Sequence, residues 1–283
     1  MQPLLMILAA QLLIASGNLL VKLLETNVPV FQLVLYRQLF ATLLVLPFVW
    51  HLQGNLKLSP FYKVHLARAL LIGLGNAIFM LAILHLPLAT VTAVIYTSPL
   101  LLLVLSAIFL NERIGYRRTV AGLIGFSGIL LISQPTEFNL YIGLAFFGAM
   151  TSALNSLILK AYSTHEHPFS MLFWSNAFAM IFLIPATLYE GAEFSLPVAQ
   201  VGLTLGLFYI AMTYLIIHAY RRADASQMAP VEYTGLIFAA LLGWWILDEE
   251  LSLVILIGIG LVIFSSILPS YSELKAKWKS RRS

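Results

Sequence analysis

The sequence contains no cysteine. A disulfide framework, a thiolate metal site and a cysteine nucleophile are therefore excluded. Charge is scarce too: Asp, Glu, Lys and Arg make up 10% of the 283 residues, where soluble domains carry about 25%. Acidic residues are the scarcer sign, 12 against 16 Lys and Arg, for a formal net charge of +4. A soluble domain must turn polar surface to water, and a chain that is 60% hydrophobic with a mean hydropathy of +0.92 has too little of it. These values argue against a soluble globular enzyme, a disordered chain and a nucleic-acid binder. The sequence also lacks a His-Glu-x-x-His pair, a phosphate-binding loop and a Gly-x-Ser-x-Gly elbow. An ATP-driven pump on this chain alone is thereby excluded.

What is present is a series of long apolar runs. A bilayer span takes about 20 mainly apolar residues. Ten windows qualify: 4–24, 30–51, 64–84, 88–110, 117–133, 140–161, 169–189, 198–219, 226–247 and 252–269. Turn-forming and polar residues such as Pro29, Gly54, Pro87, Gly115, Pro135, Gly191 and Asp224 punctuate the intervals. The expected fold class is an all-α polytopic membrane protein with ten transmembrane helices. Such spans use about 200 residues, leaving loops and one tail but no extramembrane domain. The first window lacks a basic n-region and exceeds a signal peptide's apolar core of about 7–15 residues, so it reads as a span.

Lys and Arg set the orientation. With the N-terminus in the cytoplasm, the inner side receives Lys57, Lys63, Arg68, Arg113, Arg117, Arg118, Lys160, Arg221, Arg222, Lys275, Lys277, Lys279, Arg281 and Arg282. The outer loops receive acids instead: Glu25, Glu137, Glu190, Glu193, Asp248, Glu249 and Glu250. This is the positive-inside pattern, and it accounts for the basic pI without nucleic acid. Both termini are expected in the cytoplasm of a cell membrane, the bacterial inner membrane. The basic tail, 272–283, is expected to fix topology; a place beside anionic headgroups is the alternative reading.

The chain also repeats. Tyr96-Thr97 aligns with Tyr233-Thr234, and Leu110-Asn111-Glu112 with Leu247-Asp248-Glu249, at a common offset of 137. Asn18 meets Asn155 at the same offset, and Lys22 meets Lys160 one residue later. The unit, 1–136 and then 137–271, holds five spans. Five is odd, so the second copy enters the membrane inverted, placing Glu112 inside and Glu249 outside. Inverted repeats are the architecture of secondary transporters, whose substrate site lies near the midplane between the halves.

Several motifs then resemble one known family. Gly17-Asn18 with Lys22, Pro29, Arg37 and Ala41 is similar to the opening of the EamA-like branch of the drug/metabolite transporter superfamily. So are Ala89 with Tyr96-Thr97-Ser98-Pro99, Leu110-Asn111-Glu112-Arg113, Ala219-Tyr220-Arg221-Arg222-Ala223, Pro230, and Leu247-Asp248-Glu249-Glu250. The resemblance covers nearly the whole chain. It implies two inverted five-helix halves, a cavity lined mainly by spans 1, 3, 4, 6, 8 and 9, and alternating access by rocking and helix bending. Trp174 stands where the first half has Arg37, and Glu250 where it has Arg113, so the halves are not interchangeable.

Ionisable groups within a bilayer are functional candidates by default. Arg37 lies about 10 Å into span 2 by helical rise. Lys22 lies near the outer end of span 1. Together they would make a positive rim suited to a carboxylate; the alternative is that Lys22 snorkels to the interface and Arg37 is a strut to Glu25 or to carbonyls. Glu232 is the acid well inside a span, a candidate to bind a substrate ammonium or couple a proton, or else a strut to Lys160 or Arg221. Asn76, Tyr96, Asn155, Tyr214 and Tyr233 are the candidate polar and aromatic substrate contacts. Pro99 and Pro230 are candidate hinges. Gly202-x-x-x-Gly206 permits close helix approach. His165-Glu166-His167 reads as a solvated loop rather than a metal site, since no further ligand is evident.

The expected function is secondary transport of a small organic metabolite, an amino acid or related compound, with export favoured. Uptake of a ring-bearing vitamin or cofactor such as a flavin is the alternative. An intramembrane enzyme is the rival of a different class, and it lacks a catalytic cluster at one depth. No cofactor and no metal are expected. The expected partners are the substrate and the lipid bilayer, with the chain acting as a monomer or homodimer.

Overall fold

The computed structural model describes residues 2–24, 28–53, 58–109, 116–133, 139–162, 166–220 and 234–265. These residues are all-helical, with no strand among them. In chain order the helices are α1 (Gln2–Lys22), α2 (Val30–Gln53), α3 (Tyr62–His85), α4 (Leu88–Ile95), α5 (Ser98–Phe109), α6 (Tyr116–Ser133), α7 (Leu140–Tyr162), α8 (Pro168–Glu190), α9 (Leu196–Tyr220), α10 (Thr234–Ile246) and α11 (Leu253–Ser265). Among the described residues, seven segments are long and apolar enough to cross a bilayer: α1, α2, α3, the α4–α5 pair, α7, α8 and α9. The windows at 117–133, 226–247 and 252–269 carry shorter apolar helices, Gly122–Ile132, Thr234–Ile246 and Leu253–Ser265. Residues 226–233 and 266–269 of those windows lie outside the described residues.

Breaks and ends follow local chemistry. Span 4 is interrupted at Tyr96-Thr97. Pro99 has no N–H to donate to the carbonyl of Ile95, so the hydrogen-bond ladder is broken where the helix stops and restarts. Pro47 and Pro185 instead sit inside helices that run through them. Helix α3 ends at Leu86, extended at φ −111° and ψ 154°, as expected for a residue preceding proline. Gly191, in the left-handed region at φ 66°, closes α8 directly after Glu190.

Packing joins the early helices to the late ones. Helix α2 lies against α8 and α9, α1 against α9 and α10, and α3 against α7 and α8. The α4 and α5 segments meet α7, and α4 also meets α10. Small residues make these approaches close. Gly202 and Gly206 of α9 lie on the backbone of Tyr36, Arg37 and Ala41 in α2, where a Cβ would collide. The spacing read from the sequence as a packing motif is thus a packing motif. The buried core runs through Leu33, Ile83, Leu88, Leu183 and Leu236, while large apolar side chains such as Leu43, Phe48, Ile181, Ile184, Leu207 and Leu241 point outward. An apolar exterior of this kind suits lipid, not water.

Two of the acids expected in outer loops also finish helices. Glu190 accepts from the Phe31 and Gln32 amides at 3.2 and 3.1 Å, capping an α2 terminus that has no acid in its own first turn. Glu249 accepts from Leu88 N, 2.8 Å to each oxygen, at the start of α4. The chain reaches that point through a tight turn. Leu247 and Glu249 both donate to Gly243 O, and Asp248 between them adopts φ 53°, which aspartate tolerates better than most non-glycine residues. Burial pushes the Glu249 carboxyl above its ordinary range, against the pull of the Leu88 amide and Lys22.

Candidate functional site

Two neighbouring cavities occupy the bundle. The first, about 190 Å³, lies between α1, α2, α3 and α9 and is lined by Asn18, Arg37, Asn76, Phe79 and Tyr209 among others. The second, about 170 Å³, lies between α3, α4 and α7 and includes Asn76, Phe79, Ser152 and Asn155. Asn76 and Phe79 line both, so α3 forms the wall they share.

Arg37 is the charged residue of the first cavity. Close packing of α9 on α2, permitted by Gly202 and Gly206, brings its guanidinium over the Tyr209 ring, 5.0 Å from the centroid. Among the described residues, the only carboxylate–base pair within 4.0 Å is His65–Glu166, so Arg37 has no acidic partner there. A guanidinium in an apolar cavity, held by an aromatic face and paired with no acid among the described residues, keeps N–H donors that no carboxylate there takes up.

Lys22 does not join Arg37 in a rim. Its Nζ donates to Leu86 O at 2.6 Å and Leu84 O at 3.3 Å. It ties α1 to the buried carbonyls at the end of α3, the helix-terminal role a cation favours. Tyr96 donates to Gln11 Oε1 at 2.8 Å across the break in span 4. Asn155 lines the second cavity and accepts from Arg68 Nε at 3.0 Å. Tyr214 is 50% exposed and packs its ring on His218 at 3.9 Å between centroids, away from both cavities. Tyr233, Glu232 and Pro230 lie outside the described residues, as does the Glu112 side of the repeat.

At the opposite end of α3 is a cluster that charge counting assigned to the membrane surface. Arg68, expected as a topological charge, is 3% exposed, and His65 is fully buried. Glu166, expected in a solvated loop, is 2.8 Å from His65 Nε2 and accepts from Ser170 Oγ at 2.6 Å. Ser59 and Ser175 complete the imidazole's surroundings at 3.1 and 3.3 Å. His167 caps α8, its Nδ1 accepting from Phe169 N at 3.3 Å. Among the described residues no group of three or more metal-ligating side chains converges.

The EamA-like transporter family matches residues 1–134 and again residues 139–271. The chain belongs to the EamA-like transporter family. It is a multi-pass membrane protein of a family whose relatives move small molecules. The S-adenosylmethionine uptake transporter of Rickettsia bellii is 30% identical over 94% of this chain and 92% of its own length. The riboflavin transporter of Rhizobium johnstonii is 29% identical over 85% and 80%. The pseudopaline exporter of Pseudomonas aeruginosa is 25% identical over 90% and 91%. A solved crystal structure shares the fold at a TM-score of 0.63 and 16% identity, over 92% of this chain and 97% of the other.

Proposed function

We propose that this EamA-like protein is a secondary transporter of a small carboxylate-bearing metabolite of the amino-acid type, working by alternating access, with Arg37 holding the carboxylate. The observation that carries the reading is the Arg37 guanidinium, stacked on Tyr209 and without an acidic partner among the described residues. Asn18, Asn76 and Tyr209 line the same cavity, ready to hold the rest of the cargo. Glu232 is our candidate for the substrate ammonium or a coupled proton. The proposed hinges are the break before Pro99 and, at a related position of the second half, Pro230.

The architecture we propose is two inverted five-helix halves, 1–136 and 137–271, with cytoplasmic termini, a tail at 272–283 and residence in a bacterial inner membrane. Its support is twofold. One family matches the chain twice in succession. The packing also survives exchange of the halves: α1 on α9 answers to α7 on α3, and α2 on α9 to α8 on α3. On direction, export is the first reading; the S-adenosylmethionine uptake relative supports uptake as the second.

The test is counterflow of a metabolite panel in proteoliposomes, comparing amino-acid compounds with their decarboxylated counterparts and with flavins. Wild-type protein is expected to exchange the carboxylate form, and Arg37→Gln to lose it. Equal exchange of both forms by wild type would refute the Arg37 role. For the inverted halves, a single cysteine at Glu112 should label from the cytoplasm only and one at Glu249 from outside only; same-side labelling sinks the arrangement.

A further inference from the structure

A route through Arg37 alone leaves a second buried cation unexplained. Arg68 lies on α3 about 9 Å from its start by helical rise. It is 3% exposed, and its Nη1 is buried with no hydrogen-bond partner. Its Nε donates to the neutral amide oxygen of Asn155 at 3.0 Å. Glu166 is an electrostatic neighbour, yet its oxygens are engaged by His65 and Ser170 rather than by Arg68. Asn155 itself lines the second cavity, so a single side chain separates that space from the guanidinium. Tyr209 is an electrostatic neighbour of both Arg37 and Arg68. The two arginines thus stand beside two cavities that have Asn76 and Phe79 in common, Arg37 lining the first and Arg68 bonded to Asn155 of the second.

We propose that Arg68 is a second anion station, at which a carboxylate entering the α3–α7 cavity displaces the Asn155 amide oxygen from the guanidinium. The exchange is favourable because a carboxylate offers two charged acceptors to the guanidinium fork where the amide offers one neutral acceptor. It also gives the bare Nη1 a partner. Arg37 and Arg68 then form a relay: the cargo's carboxylate leaves one arginine for the other as the contact between α3 and α7 loosens. The relay rests on the carboxylate cargo proposed above; the anion preference of the second cavity does not.

The absence of native cysteine allows a direct test without knowing the cargo. Ser152→Cys places a thiol in the α3–α7 cavity, and Met212→Cys places one in the Arg37 cavity. In detergent-solubilised full-length protein, the rate ratio of anionic 2-sulfonatoethyl methanethiosulfonate to its cationic trimethylammonium analogue reports the local charge. At Ser152→Cys, the ratio is expected to fall about tenfold on Arg68→Gln. Asn155→Asp should lower it similarly, by neutralising Arg68 in place, and it keeps the test open should Arg68→Gln not fold. A ratio within about twofold of the parent in a folded variant overturns the station. Arg37→Gln should act chiefly on the Met212→Cys ratio. No effect there, with Arg68→Gln active at Ser152→Cys, removes the Arg37 reading and leaves the station standing; the opposite pattern removes the station alone.

Discussion

Replacing Arg37 with methionine should make the protein more stable while abolishing transport. An arginine at the centre of a span costs about 2.5–3.5 kcal/mol on insertion scales. Arg37 is nearer one end of α2 and borders a cavity, which lowers that cost to about 1–2 kcal/mol. Its stacking on Tyr209, 5.0 Å from the ring centroid, returns about 0.5–1 kcal/mol. No ion pair among the described residues adds to that return. Methionine removes the buried charge and keeps an unbranched chain on the Tyr209 face, where sulfur–ring contact is favourable. The expected net gain is about 1 kcal/mol, or about 2–4 °C in the midpoint of unfolding. The assay is thermal unfolding in detergent followed by intrinsic fluorescence, beside counterflow in proteoliposomes. If methionine instead lowers the midpoint by more than about 2 °C, Arg37 is a structural strut and the anion-receptor argument fails.

Three further outcomes are expected. Glu190→Ala removes two amide contacts from the start of α2 and should cost about 1–2 kcal/mol, read by thermal unfolding; an unchanged midpoint would mean the cap contributes nothing. A double-mutant cycle of His65→Ala and Glu166→Ala should give a coupling of about 1–2 kcal/mol across their 2.8 Å contact, and additive losses would show that the two do not interact. Because the folded pKa of Glu249 is raised, its contribution to stability is fully present below the ordinary carboxylate range and fades as pH rises through the folded value. Unfolding midpoints of wild type should therefore gain a component on acidification that Glu249→Gln lacks; identical pH profiles would contradict the buried placement.

The apolar windows, the punctuation at Pro87 and Gly191, and the role of Gly202-x-x-x-Gly206 were legible in one dimension because each depends on near neighbours in the chain. Arg37 was legible for the same reason: a charge inside an apolar run announces itself. Arg68, His65 and Glu166 were not. They sit at or near window edges, where composition cannot tell a surface charge from one covered by a neighbouring helix. A weak signal did exist, since an Arg and a His lie on one face of α3 three residues apart. The helix-end contacts of Glu190 and Glu249 were hidden on similar grounds. Both residues are acids in loops by sequence, and their partners, the amides of Phe31, Gln32 and Leu88, lie far along the chain. Tyr214 shows the converse: an aromatic in a span can face the cavity or the lipid, and helical periodicity alone did not choose.

The sequence by itself therefore determined the solvent of this protein, its helical content and its family, because hydropathy, helix termini and motif spacing are local quantities. Only the tertiary structure decided which charges are partnered. Lys22 is anchored to carbonyls, Glu249 is folded onto a helix start, and Arg37 and Arg68 are left beside cavities with bonding capacity to spare. That distinction depends on which helices meet across the bundle, and contacts of that range are set by packing rather than by any stretch of chain.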